Sequence, residues 1–114
     1  MKNYRTAWIG RGLHQLGFFD LSNSAGAFLE SEMVPKHHGI LEDSEIHGYP
    51  REMDWGATCS AILAFLTMGR VDSAAACGEF LVKMIDDQPN KNKFYLKRDL
   101  NGEIIVDLMD RQLI

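Results

Sequence analysis

The chain aligns with itself when it is shifted by 52 positions, and this internal repeat limits its possible folds more than any other feature. The segment LGFFDLSNSAGAFLESEM falls on MGRVDSAAACGEFLVKMI, and both contain the pattern G-x-x-D-x5-G-x-F-L. The identities, six in a window of 24 residues, are Thr6/Thr58, Gly17/Gly69, Asp20/Asp72, Gly26/Gly78, Phe28/Phe80 and Leu29/Leu81. Such a repeat is typical of a supersecondary unit that stacks on its copy. We place repeat one at 4–53 and repeat two at 54–108 of a single domain, 1–114.

Each repeat has the pattern of a helical hairpin. Gly17 and Gly69 follow apolar helical runs, and glycine readily takes the left-handed conformation that ends a helix. Asp20 and Asp72 precede the next run, where a carboxylate can accept hydrogen bonds from free helix N–H groups, so we predict both as N-caps. In the second repeat this places helices at 55–68 and 73–85; in the first, the opening helix covers 4–16.

The two helices of a repeat differ in polarity. The predicted helix 55–68 contains no charged residue and is apolar around most of its circumference, which predicts a buried helix. The helix at 73–85 is amphipathic, with Glu79 and Lys83 as a favourable i,i+4 pair on its polar face. We therefore expect the first helix of each repeat to be inner and the second to be outer.

Long connections follow each hairpin, and antiparallel geometry places them at one end of the molecule, here called the rim. They cover 35–54 and 86–110, and Asn101-Gly102 in the second predicts a β-hairpin with a two-residue type I′ turn. The predicted fold class is mainly α, with two repeated αα-hairpins (four helices) and a C-terminal β-hairpin.

The phrase LTMGRVDSAAACGEFLVKMIDDQ, followed by KFYLKRDLNGE, resembles the α/α toroids, in particular the sugar-active six-hairpin glycosidases and N-acylglucosamine 2-epimerase-like enzymes. The resemblance implies about two of six hairpins, with any ligand bound at the rim. G-x-x-D-x-A before a helix is also frequent in tetratricopeptide-like repeats, which bind proteins, but their period is about 34 residues.

Charge and composition exclude several classes of protein. The net charge is −4 and the pI is about 5.5, which argues against binding to nucleic acid or to an anionic membrane. The start of the sequence has no apolar core of signal-peptide length, and the longest uncharged run, 55–69, is too short to span a membrane. We expect a cytoplasmic protein with two free thiols, Cys59 and Cys77, and no cofactor.

The first connection, KHHGILEDSEIHGYPREMDW, concentrates candidate chemistry. His37, His38 and His47 are suitable metal ligands together with nearby carboxylates, but their spacing matches no zinc signature, so we predict no metal. Paired carboxylates for acid–base chemistry exist among Glu42, Asp43, Glu45, Glu52 and Asp54. Glu42, Asp43 and Glu45 are most simply a solvated acidic patch, Glu52 can form a surface pair with Arg51, and we assign no catalytic residue.

A ligand site at the rim is the leading functional hypothesis. Aromatic side chains beside carboxylates and an arginine suit a polar or saccharide-like small molecule. The residues that we predict to bind it are His38, Tyr49, Arg51, Glu52, Asp54 and Trp55. Two of these have structural alternatives, because Asp54 precedes an apolar helix and is a natural N-cap, and Trp55 in the first turn of that helix fits a core position.

The alternative is a non-enzymatic module for protein–protein interaction or assembly. Two stacked hairpins leave apolar surface of the inner helices uncovered where a third hairpin would pack, and such surface usually marks association. We therefore expect a homodimer or a higher homo-oligomer, most simply a two-fold dimer.

Overall fold

The computed structural model describes residues 1–45, 51–90 and 92–106. It contains four helices, α1 (Asn3–Gln15), α2 (Phe19–Ser31), α3 (Trp55–Met68) and α4 (Val71–Asp86), and two short strands, β1 (Met53–Asp54) and β2 (Lys97–Arg98). The predicted mainly α class with two αα-hairpins is confirmed. Within these ranges no helix is both long enough and apolar enough to cross a membrane.

α1 and α3 pack on each other at the centre, while α2 packs mainly on α1 and α4 packs on α3. The contact surface is made of small side chains, with Ala7 of α1 and Ala57, Ala61 and Ala64 of α3 all fully buried. Gly10 extends this close approach, because a Cβ there would lie 2.7 Å from Met68 Cε and 2.8 Å from Ala25 Cβ. The inner and outer helices are therefore arranged as predicted.

α3 is nevertheless not buried on all sides, in keeping with the apolar surface that two stacked hairpins are expected to leave uncovered. Its buried residues lie on one side of the helix, while Leu63 and Leu66 on the other side are 49% and 54% exposed. α1 and α4 pack on α3 and α2 contacts it less extensively, and together they leave the side with Leu63 and Leu66 exposed among the described residues.

The helix ends test the cap predictions individually. Gly17 and Gly69 have φ of 89° and 78°, which confirms the left-handed glycines, and Asp54 Oδ2 accepts a hydrogen bond from the Ala57 N–H at 2.8 Å, which confirms that N-cap. The prediction for Asp20 and Asp72 is wrong, since α2 begins at Phe19 and α4 at Val71, one residue before each aspartate and two residues earlier than predicted. Both carboxylates lie in the first turn, where they are still favourable to the helix dipole.

The two long connections meet at the rim. β1 pairs antiparallel with β2, with Met53 opposite Arg98 and Asp54 opposite Lys97. The main chain of Met53 also forms a bridge to Leu41, so the start of the first connection joins the same structure. This short sheet gives the predicted C-terminal hairpin the neighbour that an isolated two-stranded ribbon needs.

The hairpin itself forms, with a bridge between Arg98 and Ile104, but its turn differs from the predicted type I′. Gly102 N–H donates to Asp99 O, Asp99 N–H donates to Glu103 O, and Gly102 has a φ of 86°. This is a three-residue loop closed by a left-handed glycine. Asp99 Oδ1 accepts from the N–H groups of Asn101 and Glu103, both at 2.9 Å. These bonds favour a turn that begins at Asp99, before the predicted Asn101-Gly102 turn.

Candidate functional site

The polar rim is the set of charged groups around the start of α1, the first connection and β2. Glu42 is at its centre and accepts from Lys2 Nζ at 2.5 Å and from Lys97 Nζ. Lys97 Nζ also lies 3.6 Å from Glu52 Oε2. The main chain brings these side chains together, because Asn3 N–H donates to Glu42 O and Glu42 N–H donates to Glu52 O.

The pKa values of the polar rim follow from these ion pairs. Burial raises the pKa of Glu42, but the hydrogen bonds and charges of Lys2 and Lys97 together outweigh burial and hold it below its ordinary value. The hydrogen bond to Glu42 raises the pKa of Lys2. Burial lowers the pKa of Lys97, and its contact with Glu42 reverses that effect and raises it. Glu42 is therefore a stable carboxylate rather than an acid–base catalyst at neutral pH.

Arg51 makes its contacts with the protein itself. Its guanidinium donates to Glu32 Oε1 at 2.6 Å and to Asp43 O at 2.7 Å. Glu32 also accepts from Asn3 Nδ2 at 3.1 Å, and Asn3 Nδ2 donates to Leu41 O at 2.8 Å. Since Glu32 is almost buried and Asn3 is fully buried, this network joins the start of α1, the end of α2 and the first connection.

Asp54 and Trp55 have the structural roles that were their alternatives. Burial raises the pKa of Asp54, and the charge of Glu42 adds to this, while the hydrogen bond from Ala57 acts in the opposite direction. The Trp55 ring packs edge-to-face on Phe94 with 4.9 Å between centroids, and its backbone N–H donates to Leu96 O. The two residues therefore cap α3 and hold the second connection against it.

His38 lies in a tight turn beside α4. Its φ is 68°, its N–H donates to Val34 O at 2.8 Å, and Nδ1 is 3.7 Å from Glu79 Oε2. His38 thus lies next to α4, whereas Arg51, Glu52 and Asp54 make their contacts within the rim. Tyr49, the remaining predicted ligand residue, and His47 lie outside the described residues.

The structure adds rim residues that sequence reasoning missed, namely Lys2, Asn3, Glu32 and Lys97. Their partners are far away in sequence, and no local pattern signals such contacts. In the ranges that the structure describes, no group of three or more His, Cys, Asp or Glu side chains is placed to hold a metal ion. Burial raises the pKa of Cys77 to about 12 and raises that of Cys59, so neither thiol is activated as a nucleophile.

A cleft of about 710 Å³ lies between the end of α4 and the segment that leads to β2. Its lining residues are Ile85, Gln88, Pro89, Asn90, Asn92, Lys93 and Phe94. Both polar atoms of the Gln88 side chain make hydrogen bonds within the protein, since Nε2 donates to Met84 O and Oε1 accepts from the Tyr95 N–H. Phe94 forms an apolar wall of the cleft, and its ring also contacts the ring of Trp55.

Two apolar helix faces are exposed at the centre of the molecule. The α1 face consists of Trp8, Ile9 and Leu16, which are 61%, 53% and 76% exposed. The α3 face consists of Cys59, Leu63 and Leu66, of which Cys59 is partly exposed. Removing such side chains from water is favourable, so both faces are candidates for a binding surface.

Comparison with known proteins finds no matching family, no matching characterised protein and no matching solved structure.

Proposed function

We propose that this chain is a non-enzymatic protein-interaction module that binds through the apolar faces of its two central helices. The observation that carries the proposal is the exposure of large apolar side chains on both α1 and α3, the helices that form the core. Central helices of a self-sufficient domain normally have their apolar sides covered, and exposed apolar patches mark association surfaces.

The engagement of the polar rim within the protein supports the same proposal. Arg51 is bound by Glu32 and the Asp43 carbonyl, and Glu42 is bound by Lys2 and Lys97. A ligand that used these groups would first have to break contacts that hold the connections together. The rim is better suited to stabilising the fold than to recognising a small molecule.

Quantitative capture experiments test the proposal. A tagged chain is compared with Ile9→Glu and Leu66→Glu, one variant for each face, and with Val82→Glu as the matched control. Val82 is 60% exposed on α4, so its variant adds the same charge outside both faces. We expect proteins from source-cell extract, including untagged copies of this chain, to be retained by the wild type and the control, and to be retained less by each face variant, which keeps only one of the two faces. Retention that is equal for all four proteins would contradict the proposal.

A second candidate function is binding of a polar or saccharide-like ligand, which the α/α-toroid resemblance implies. The cleft beside Phe94 favours it, because an aromatic wall next to amide side chains suits a sugar ring. In a Trp8→Phe variant, Trp55 is the sole tryptophan and its ring touches Phe94. Titration with mono- and oligosaccharides should then change Trp55 fluorescence, and a Phe94→Ala substitution should abolish the change. An unchanged spectrum at millimolar sugar would contradict it.

A further inference from the structure

The two apolar faces point to opposite sides of the α1–α3 pair. In α3, Ala61 is buried and Cys59, two residues earlier, is on the α3 face. In α1, Ala7 is buried and Ile9, two residues later, is on the α1 face. Two positions along a helix are about 160° apart around its axis, so in each helix the free face is nearly opposite the packed side.

The 52-residue repeat relates the free side of one helix to the packed side of the other. Ala7 corresponds to Cys59 and Ile9 to Ala61, so the buried and exposed members exchange places between the two copies. The same relation pairs exposed Leu16 with Met68, whose methyl group lies close to Gly10. Thus Ile9 and Leu16 of the α1 face are the repeat equivalents of α3 residues on the side that packs on α1, and Cys59 of the α3 face is the equivalent of the buried Ala7.

The free face of α1 has room for a partner helix. Gly12 corresponds to the buried Ala64 under the repeat, and a Cβ at Gly12 would meet no heavy atom within 4 Å. α3 contains no charged residue, so Arg5 and Arg11 of an incoming α1 would meet no like charge on it. The α3 face of another copy would therefore meet the α1 face without like-charge repulsion, and Gly12 leaves space for it.

We propose that copies of this chain associate head to tail, with the α1 face of one copy on the α3 face of the next. The contact continues the α1–α3 interface that already exists inside each chain. This inference rests on the proposed interaction function and names its partner as a second copy. The interface is heterologous, since each copy contributes a different face, and it differs in this respect from a two-fold dimer.

Complementation between blocked variants tests the head-to-tail contact. Sedimentation velocity at micromolar concentration is measured for the wild type, Ile9→Glu, Leu66→Glu, Val82→Glu and an equimolar mixture of the two face variants. We expect the wild type and Val82→Glu to form dimers or larger species and each face variant alone to be a monomer. The mixture should form a 1:1 heterodimer and stop there, because Ile9→Glu retains the α3 face and Leu66→Glu retains the α1 face.

Each contrary result overturns the inference. A monomeric wild type, a face variant that still dimerises alone, or a mixture that stays monomeric would each do so. Circular dichroism and urea midpoints equal to those of the wild type establish that the variants are folded, and Leu16→Glu and Leu63→Glu replace any variant that is not. A monomeric chain that captures a different protein through the same faces would overturn the head-to-tail contact and leave the proposed function standing.

Discussion

Glu32 illustrates how single residues hold this small protein together. Its carboxylate is almost buried and binds both the Arg51 guanidinium and the Asn3 amide. Asn3 Oδ1 and Arg51 Nε are buried without a hydrogen-bond partner among the described residues, so the network already contains polar atoms that are not fully satisfied. Removing the shared carboxylate would leave further donors unpaired, which is the costly way to alter a buried polar network.

Replacement of Glu32 by Gln should destabilise the protein by about 2 kcal/mol. A buried ion pair that loses one partner usually costs more, but the Arg51 side chain is 26% exposed, so water can replace part of the interaction. The matched control is Glu79→Gln, a carboxylate whose side chain is 76% exposed, for which we expect a change within about 0.5 kcal/mol. Urea unfolding gives both values, and equal effects would contradict the structural role of Glu32.

Gly10 and Gly78 should respond to alanine in opposite directions. A Cβ at Gly10 would lie 2.8 Å from Ala25 Cβ, which is fixed to α2, and we expect a loss of about 1–3 kcal/mol from overpacking. A Cβ at Gly78 meets nothing within 4 Å, so Gly78→Ala should gain about 0.5–1 kcal/mol through helix propensity. Thermal unfolding measures the pair, and a neutral Gly10→Ala would show that α1 and α2 can separate at no cost.

At the scale of the elements, the strands are too short to hold the two long connections together by themselves. β1 and β2 have two residues each. Charged side chains supply additional contacts, since Glu42 binds Lys2 just before α1 and Lys97 in β2. The rim, which contains the predicted ligand residues, is therefore held together by ion pairs as well as by its short strands.

The contribution of Glu42 should disappear at low pH. Its folded pKa is below the ordinary value of 4.5, so the stability that it contributes is present above that value and is lost as pH falls through the lowered folded pKa. We expect Glu42→Gln to lose about 1 kcal/mol near pH 7, since the two lysines are well exposed, and much less near pH 2. Urea unfolding across this range tests it, with Glu103→Gln as an exposed control. A difference that does not depend on pH would contradict the ion pairs.

At the scale of the whole molecule, the apolar surface is distributed differently from that of a closed domain. Among the described residues, five of the thirteen buried hydrophobic side chains are alanines, while larger side chains such as Trp8, Leu16 and Leu66 are exposed. Small core residues bury little apolar area each, which limits the stability that one copy can reach alone. Covering the two central faces would add apolar burial without any change in fold.

The two cysteines report on that coverage. Cys77 is fully buried with a pKa raised to about 12, whereas Cys59 is partly exposed on the α3 face. A maleimide should label Cys59 first, and its rate should fall several-fold as the protein concentration is raised and copies associate. In Ile9→Glu, which keeps the α3 face but lacks its partner, the Cys59 rate should not depend on concentration. Peptide mass spectrometry measures both sites, and a wild-type rate independent of concentration would contradict burial of this face.

The sequence by itself determined the helices and their strongest ends. α3 was predicted with its observed bounds because Asp54 caps its start and Gly69 ends it, and both signals act through hydrogen bonds within a few residues. The αα-hairpin fold follows from the same local patterns. The sugar-binding, interaction and oligomer hypotheses are not decided by these patterns and stay proposals.

Only the tertiary structure decided which side chains meet. Arg51 turns to Glu32, Glu42 is held by Lys2 and Lys97, and Trp55 packs on Phe94, all across separations of many residues. The six predicted ligand residues were chosen because they are close in sequence, but their contacts depend on how the connections fold back on the helices. Local hydrogen bonds are encoded in neighbouring residues, whereas ion pairs and packing depend on the whole chain, and for this reason the sequence predicted the helices but not the contacts of the rim.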